Sequence, residues 1–106
     1  NELYTLLEFM ASAGFVVSAP DYLGFGASKA MFHPYLDKES TVQTVTDMLR
    51  AVNELLSNHL NKEVRNELYI TGYSQGGWAT AQLQKTIEQS ATGEFNLKAS
   101  ACGAGP

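Results

Sequence analysis

Gly72-Tyr73-Ser74-Gln75-Gly76 sets one serine between two glycines, each two residues away. A β-branched and aromatic run, Leu68 to Thr71, leads into it. A helix-compatible segment, Ala79 to Glu88, leads out. A serine at a tight strand-to-helix turn sits in a strained backbone conformation with its hydroxyl thrust outward. Residues two before and two after it crowd each other, so glycine is expected to be required at both Gly72 and Gly76. A hydroxyl held there, at the positive end of a helix, is suited to attack a carbonyl carbon. The backbone N–H of Gln75 would then face the developing oxyanion.

A serine hydroxyl is a weak nucleophile until a base takes its proton. In the strand–serine–helix arrangement the acid and the histidine follow the serine along the chain. Here the stretch after Ser74 holds no histidine and no aspartate, and its acids are Glu88 and Glu94. Both histidines, His33 and His59, precede the serine. Either His33 is the base in an unusual chain order, or the base lies beyond Pro106; the expectation is the second, with the chain a piece of a longer polypeptide. His33 is then expected near the mouth of a pocket, and His59 on the surface near a helix end. Asp21, Asp37 and Asp47 read as a turn residue, a solvated loop charge and a helix-surface charge.

Composition narrows the classes. The chain has 106 residues, enough for one ordinary domain. The hydrophobic share is 44% and the charged share 17%, which is globular rather than disordered. Net charge is −4 with no basic stripe, so nucleic acid is not an expected partner. Cys102 is the single cysteine, which rules out an internal disulfide. No Cys/His spacing suggests a metal site, and acyl transfer by this route needs no cofactor. No apolar run approaches the roughly 20 residues of a membrane span. A dinucleotide turn would need glycine where Ser74 stands, and no lysine follows to make a phosphate loop.

The elements that must position the serine follow from periodicity. Leu3, Leu6, Leu7, Met10 and Ala11 share one helix face over residues 2–13, and Gly14 supplies the stop. Phe15 to Ala19 reads as a short strand buried on both faces, ended by Pro20. Residues 20–39 form a long connection, rich in apolar side chains, that would leave the sheet edge from which the serine turn also leaves. Tyr22, Leu23, Phe25 and His33 of this connection, with Tyr73 of the turn, are expected to rim a pocket over Ser74. A self-packed loop that touches no substrate is the competing reading. Ser40 and Gln43 read as a capping box before a helix with the stripe Val42, Val45, Leu49, Val52, Leu56, Leu60. Residues 61–66 read as a polar turn, 68–71 as a second strand, and the helix after Ser74 as burying Ala79, Leu83 and Ile87. Gly76-Gly77 is expected to let that helix lie close on the sheet. Residues 91–93 stop it, and 97–103 read as a third strand. The order α-β-α-β-α-β implies an α/β fold with a mostly parallel, three-layer sheet.

Three stretches together resemble the α/β-hydrolase superfamily: Ala19-Pro20-Asp21-Tyr22-Leu23-Gly24-Phe25-Gly26-Ala27-Ser28, His33-Pro34-Tyr35, and Gly72-Tyr73-Ser74-Gln75-Gly76-Gly77. The resemblance is strongest to its secreted lipase and esterase branch, including bacterial relatives labelled prolyl-oligopeptidase-like. It implies that residues 1–106 are part of a single catalytic domain, with the visible strands as the fourth, fifth and sixth of an eight-stranded sheet. The third strand would lie between the fourth and fifth, leaving a slot with unpaired backbone groups, so the piece alone is not expected to be a stable catalyst. The second oxyanion donor would lie before Asn1. The implied function is hydrolysis of a carboxylic ester, small or lipid-like, through an acyl-enzyme on Ser74. The rest of the parent polypeptide would complete sheet and triad, and the branch leans toward a secreted or cell-envelope location. A peptidase or acyltransferase of the same fold, or a non-catalytic binding domain, stands as the alternative.

Overall fold

The computed structural model describes residues 2–31, 33, 35–61, 66–90 and 93–106. Helix α1 spans Glu2–Ser12, α2 Lys38–Glu54 and α3 Gln75–Ser90. Strands β1, Leu68–Tyr73, and β2, Leu97–Gly103, pair in parallel. The order is thus α1-α2-β1-α3-β2, with α3 as the crossover between β1 and β2. The expected turn over 61–66 and the helix stop at 91–93 lie partly outside the described residues. No helix among the described residues is long and apolar enough to cross a membrane.

The core forms where α2, α3 and the strand pair meet. Leu83 and Ile87, one helical turn apart on α3, are almost fully buried with Val42 and Phe95. Val45, Leu49, Leu68, Ile70 and Leu97 close around them. Ala79, Leu83 and Ile87 are the apolar stripe read from the sequence, and all three are buried. Strand β1 alternates: Leu68, Ile70 and Gly72 are partly covered, whereas Tyr69, Thr71 and Tyr73 are exposed. The ladder runs in register from Tyr69↔Ala99 to Tyr73↔Gly103. At its start, Leu68 pairs with Leu97, so Lys98 is an extra residue in β2 and forms a bulge.

Four expectations change. Residues 15–19 form no strand, because among the described residues the sheet is the β1–β2 pair and that segment has no strand to pair with. Its first residue still meets β1, with the Phe15 ring edge-on to Tyr69 at 5.6 Å. Helix α1 forms as expected and Gly14 ends it at φ 101°, yet among the described residues α1 packs against no other helix or strand and leaves Tyr4, Leu6 and Phe9 exposed. The cap of α2 is Asp37, not Ser40. Its carboxylate accepts from the Ser40 N–H at 2.9 Å, and the Gln43 amide bonds Asp47 rather than reaching back. Asp37 outcompetes Ser40 because it stands three residues before the N–H that needs an acceptor. Finally, α2 passes into a π-helical turn over Leu55–His59, so the helical path ends where the stripe predicted but with a wider last turn.

Arg50 on α2 makes a two-pronged ion pair with Glu94, at 2.7 and 2.9 Å, tying the helix to the approach of β2. The guanidinium holds the Glu94 carboxyl below its ordinary range by hydrogen bonding. Both groups are exposed, so the pair orients more than it stabilises.

The bond from the Ser40 N–H likewise holds the Asp37 carboxyl below the ordinary range. A depressed carboxylate contributes stability above its unfolded pKa and loses it as pH falls through the folded one. Replacement Asp37→Ala should therefore lower the melting temperature at neutral pH. The gap to wild type should narrow on acidification, and a gap independent of pH would show that the carboxylate charge plays no part in the cap.

Candidate active site

Strand β1 delivers Ser74 and α3 begins one residue later. The Ser74 backbone takes φ 56°, in the left-handed region that costs a side-chain-bearing residue about 1–3 kcal/mol. Two main-chain bonds hold it there. The Ser74 N–H donates to Gly103 O at 2.8 Å, which extends the strand ladder by one bond. The Ser74 carbonyl accepts from the Trp78 N–H at 3.1 Å, which opens the helix. The residue thus belongs to both elements, and its side chain is left exposed. Among the described residues its hydroxyl bonds no other side chain. The first-turn N–H groups of α3 lack acceptors within the helix, so the positive end of its dipole lies at this serine.

The two glycines of the motif are not equivalent. A Cβ on Gly72 would overlap the carbonyl of Gly76 and lie 2.7 Å from Thr80 Oγ1. That hydroxyl in turn donates to Gly76 O at 2.8 Å. A Cβ on Gly76 would meet only the Tyr22 hydroxyl, at 3.8 Å, an ordinary contact. The crowding expected at both positions therefore falls on Gly72 as side chain and on Gly76 as main chain. Gly77 carries the second demand, since its Cβ would stand 2.5 Å from Gly103 O. This is the close helix-on-sheet packing expected of the Gly76-Gly77 pair.

The long connection folds over the start of α3. A 3₁₀ turn at Gly26–Ser28 compacts it, and the Ser28 hydroxyl accepts from the Gly24 N–H at 3.0 Å. His33 lies at its centre. Its Nδ1 is 2.7 Å from Leu23 O and its Nε2 is 3.0 Å from the side-chain nitrogen of Gln75. Phe25 meets the imidazole edge-on at 4.5 Å, and Tyr22 lies near-parallel to it at 6.3 Å. Burial raises the Tyr22 phenol above its ordinary pKa, so it stays neutral at physiological pH.

The structure thus brings Tyr22, Leu23, Phe25 and His33 together beside Gln75 and Gly76. Tyr73 stands apart, 76% exposed, with its ring turned toward Gly103. His59 lies on the π-helical turn and is exposed, as expected. Sequence reasoning missed Thr80 and the contact between the Gln75 side chain and His33. Thr80 carried a signal, being a hydroxyl four residues after Gly76 on the buried stripe. Among the described residues no group of three or more His, Cys, Asp and Glu could hold a metal.

A family model for the prolyl oligopeptidase family matches residues 1–90. A candidate hydrolase from Legionella pneumophila subsp. pneumophila strain Philadelphia 1, known from a crystal structure, is 34% identical with a TM-score of 0.80. The alignment covers 89% of this chain and 25% of that one, so the chain spans about a quarter of the Legionella protein. No curated protein matches.

The glycine geometry yields a paired test. Gly72→Ala should destabilise the protein by about 1–3 kcal/mol through overpacking, read as a lower denaturant midpoint. Gly76→Ala should fall within about 1 kcal/mol of wild type, because a helical alanine with free space carries no such cost. Equal losses at the two positions would contradict the asymmetry.

Proposed function

Since this chain belongs to the prolyl oligopeptidase family of α/β-hydrolases, we propose that it is the nucleophile-bearing part of a serine hydrolase working through Ser74. One observation carries the reading: an exposed serine, with φ 56°, is shared between the last ladder bond of a strand and the first turn of a helix. Backbone strain of this kind clusters at active sites, and here it falls on an exposed hydroxyl at a helix N-terminus.

In this reading Ser74 Oγ attacks the substrate carbonyl as its proton passes to a base. The carbonyl electrons move onto oxygen, which the Gln75 main-chain N–H meets. Collapse expels the leaving group with the proton and leaves an acyl-enzyme, which water cleaves by the reverse steps. The base comes from outside these residues. His33 is engaged at both ring nitrogens, and His59 sits at the far end of α2. We assign the second oxyanion donor and the triad acid to the remainder of the catalytic domain as well.

The substrate proposed is a carboxylic ester with an apolar acyl group. The support is the apolar character of Tyr22, Leu23 and Phe25 beside the start of α3. The second reading is a peptide bond, favoured by the description of the matching family.

Labelling of the full-length protein with a fluorophosphonate, followed by mass mapping, tests the mechanism. The label should fall on Ser74, and Ser74→Ala should abolish it and lower kcat on the order of 10⁴-fold or more. Comparison of kcat/KM for a matched ester and prolyl amide then separates the two substrates. A folded protein that takes no label would instead be a binding domain with an idle serine.

A further inference from the structure

His33 joins two parts of the molecule that are 42 residues apart in the chain. Leu23 O can only accept, so Nδ1 carries the proton of the 2.7 Å bond. A neutral imidazole then presents an acceptor at Nε2. The Gln75 side-chain amide fills it, donating across 3.0 Å. The ring has little room to leave this pose. Phe25 and Tyr35 meet it edge-on at 4.5 and 6.2 Å, and Tyr22 lies near-parallel. Main chain closes on it too, since a Cβ on Gly24 would stand 2.7 Å from His33 Cα.

Gln75 is the first residue of α3. Its N–H has no acceptor within the helix, and residues at helix ends fray unless a side chain ties them down. A donor stabilises an oxyanion to the extent that it is fixed before the charge develops.

We propose that His33 is a positioning residue for acyl transfer, accepting from the Gln75 side chain and so fixing the main-chain N–H that meets the oxyanion. The proposal rests on the Ser74 reading above. His33 exchanges no proton with the substrate in this role, because Nε2 is occupied by the amide. It acts through Gln75, and its loss removes an interaction that matters as the oxyanion forms.

The test uses the full-length protein and a p-nitrophenyl acyl ester. His33→Asn keeps an amide donor near the place of Nδ1 and removes Nε2. It should lower kcat roughly three- to tenfold with KM within about twofold. His33→Gln, whose amide reaches the place of Nε2, should recover part of the loss. Gln75→Leu should cost as much as His33→Asn, and the double variant no more than either, since all three break the same bond. Multiplying losses, or an unchanged kcat in His33→Asn, would overturn the role. Absence of a fluorophosphonate label on wild-type Ser74 would overturn the underlying reading instead. If His33→Asn fails to fold, imidazole ¹⁵N shifts of the wild type decide: a proton on Nδ1 is expected, and one on Nε2 would overturn the proposal.

Discussion

The contact between Gly72 and the carbonyl of Gly76 is the constraint on which the rest of the site depends. Helix α3 can begin immediately after β1 only if the first turn of the helix folds back over the end of the strand. With no side chain at Gly72, the carbonyl of Gly76 settles against the strand itself. Thr80 completes the arrangement by donating to that carbonyl from one turn further on, so the polar atom pressed onto the strand is not left bare. Gly77 then seats the helix on the end of β2. With both approaches fixed, the residue at the corner has no ordinary conformation left, and Ser74 is carried into positive φ. The strain at the serine follows from the packing beneath it.

The same close packing explains why the long connection can reach the site. A helix spaced off the sheet by ordinary side chains would stand further out, and its first residues would be out of reach of the loop. Here the Tyr22 hydroxyl comes to Gly76 and the His33 imidazole to Gln75. The aromatic side chains of the loop pack on the imidazole rather than on the deep core, which is built from Val42, Leu83, Ile87 and Phe95. The site therefore has its own small cluster, connected to the main one through the backbone of α3.

What could be read from the sequence was local. The stripe on α3 and the glycines around Ser74 are short-range patterns, and each is reproduced by an element of the expected type. The parallel pairing of β1 and β2 followed from their connection through a helix. What escaped depended on partners distant in sequence or on competition between neighbours. The run Phe15 to Ala19 has a strand's composition, but a strand exists only where another strand accepts its hydrogen bonds. Ser40 has the right side chain for a cap, and Asp37 has a better position. The bond between His33 and Gln75 could not be seen, because nothing in a lone histidine announces an amide 42 residues further on. Gly72 and Gly76 look alike on paper and differ because Gly72 meets the helix with its Cα, whereas Gly76 meets the strand with its oxygen.

The bulge at Lys98 bears on how this part of the chain can vary in length. From Tyr69 onward the two strands stay in register, and the far end is pinned where Gly77 meets Gly103. An inserted or deleted residue at that end would invert the faces of every following side chain and move the serine corner. At the near end one surplus residue is already absorbed without disturbing the ladder beyond it. Insertions and deletions among relatives should therefore collect before Tyr69 and Ala99, leaving the spacing from there to Ser74 and Gly103 constant.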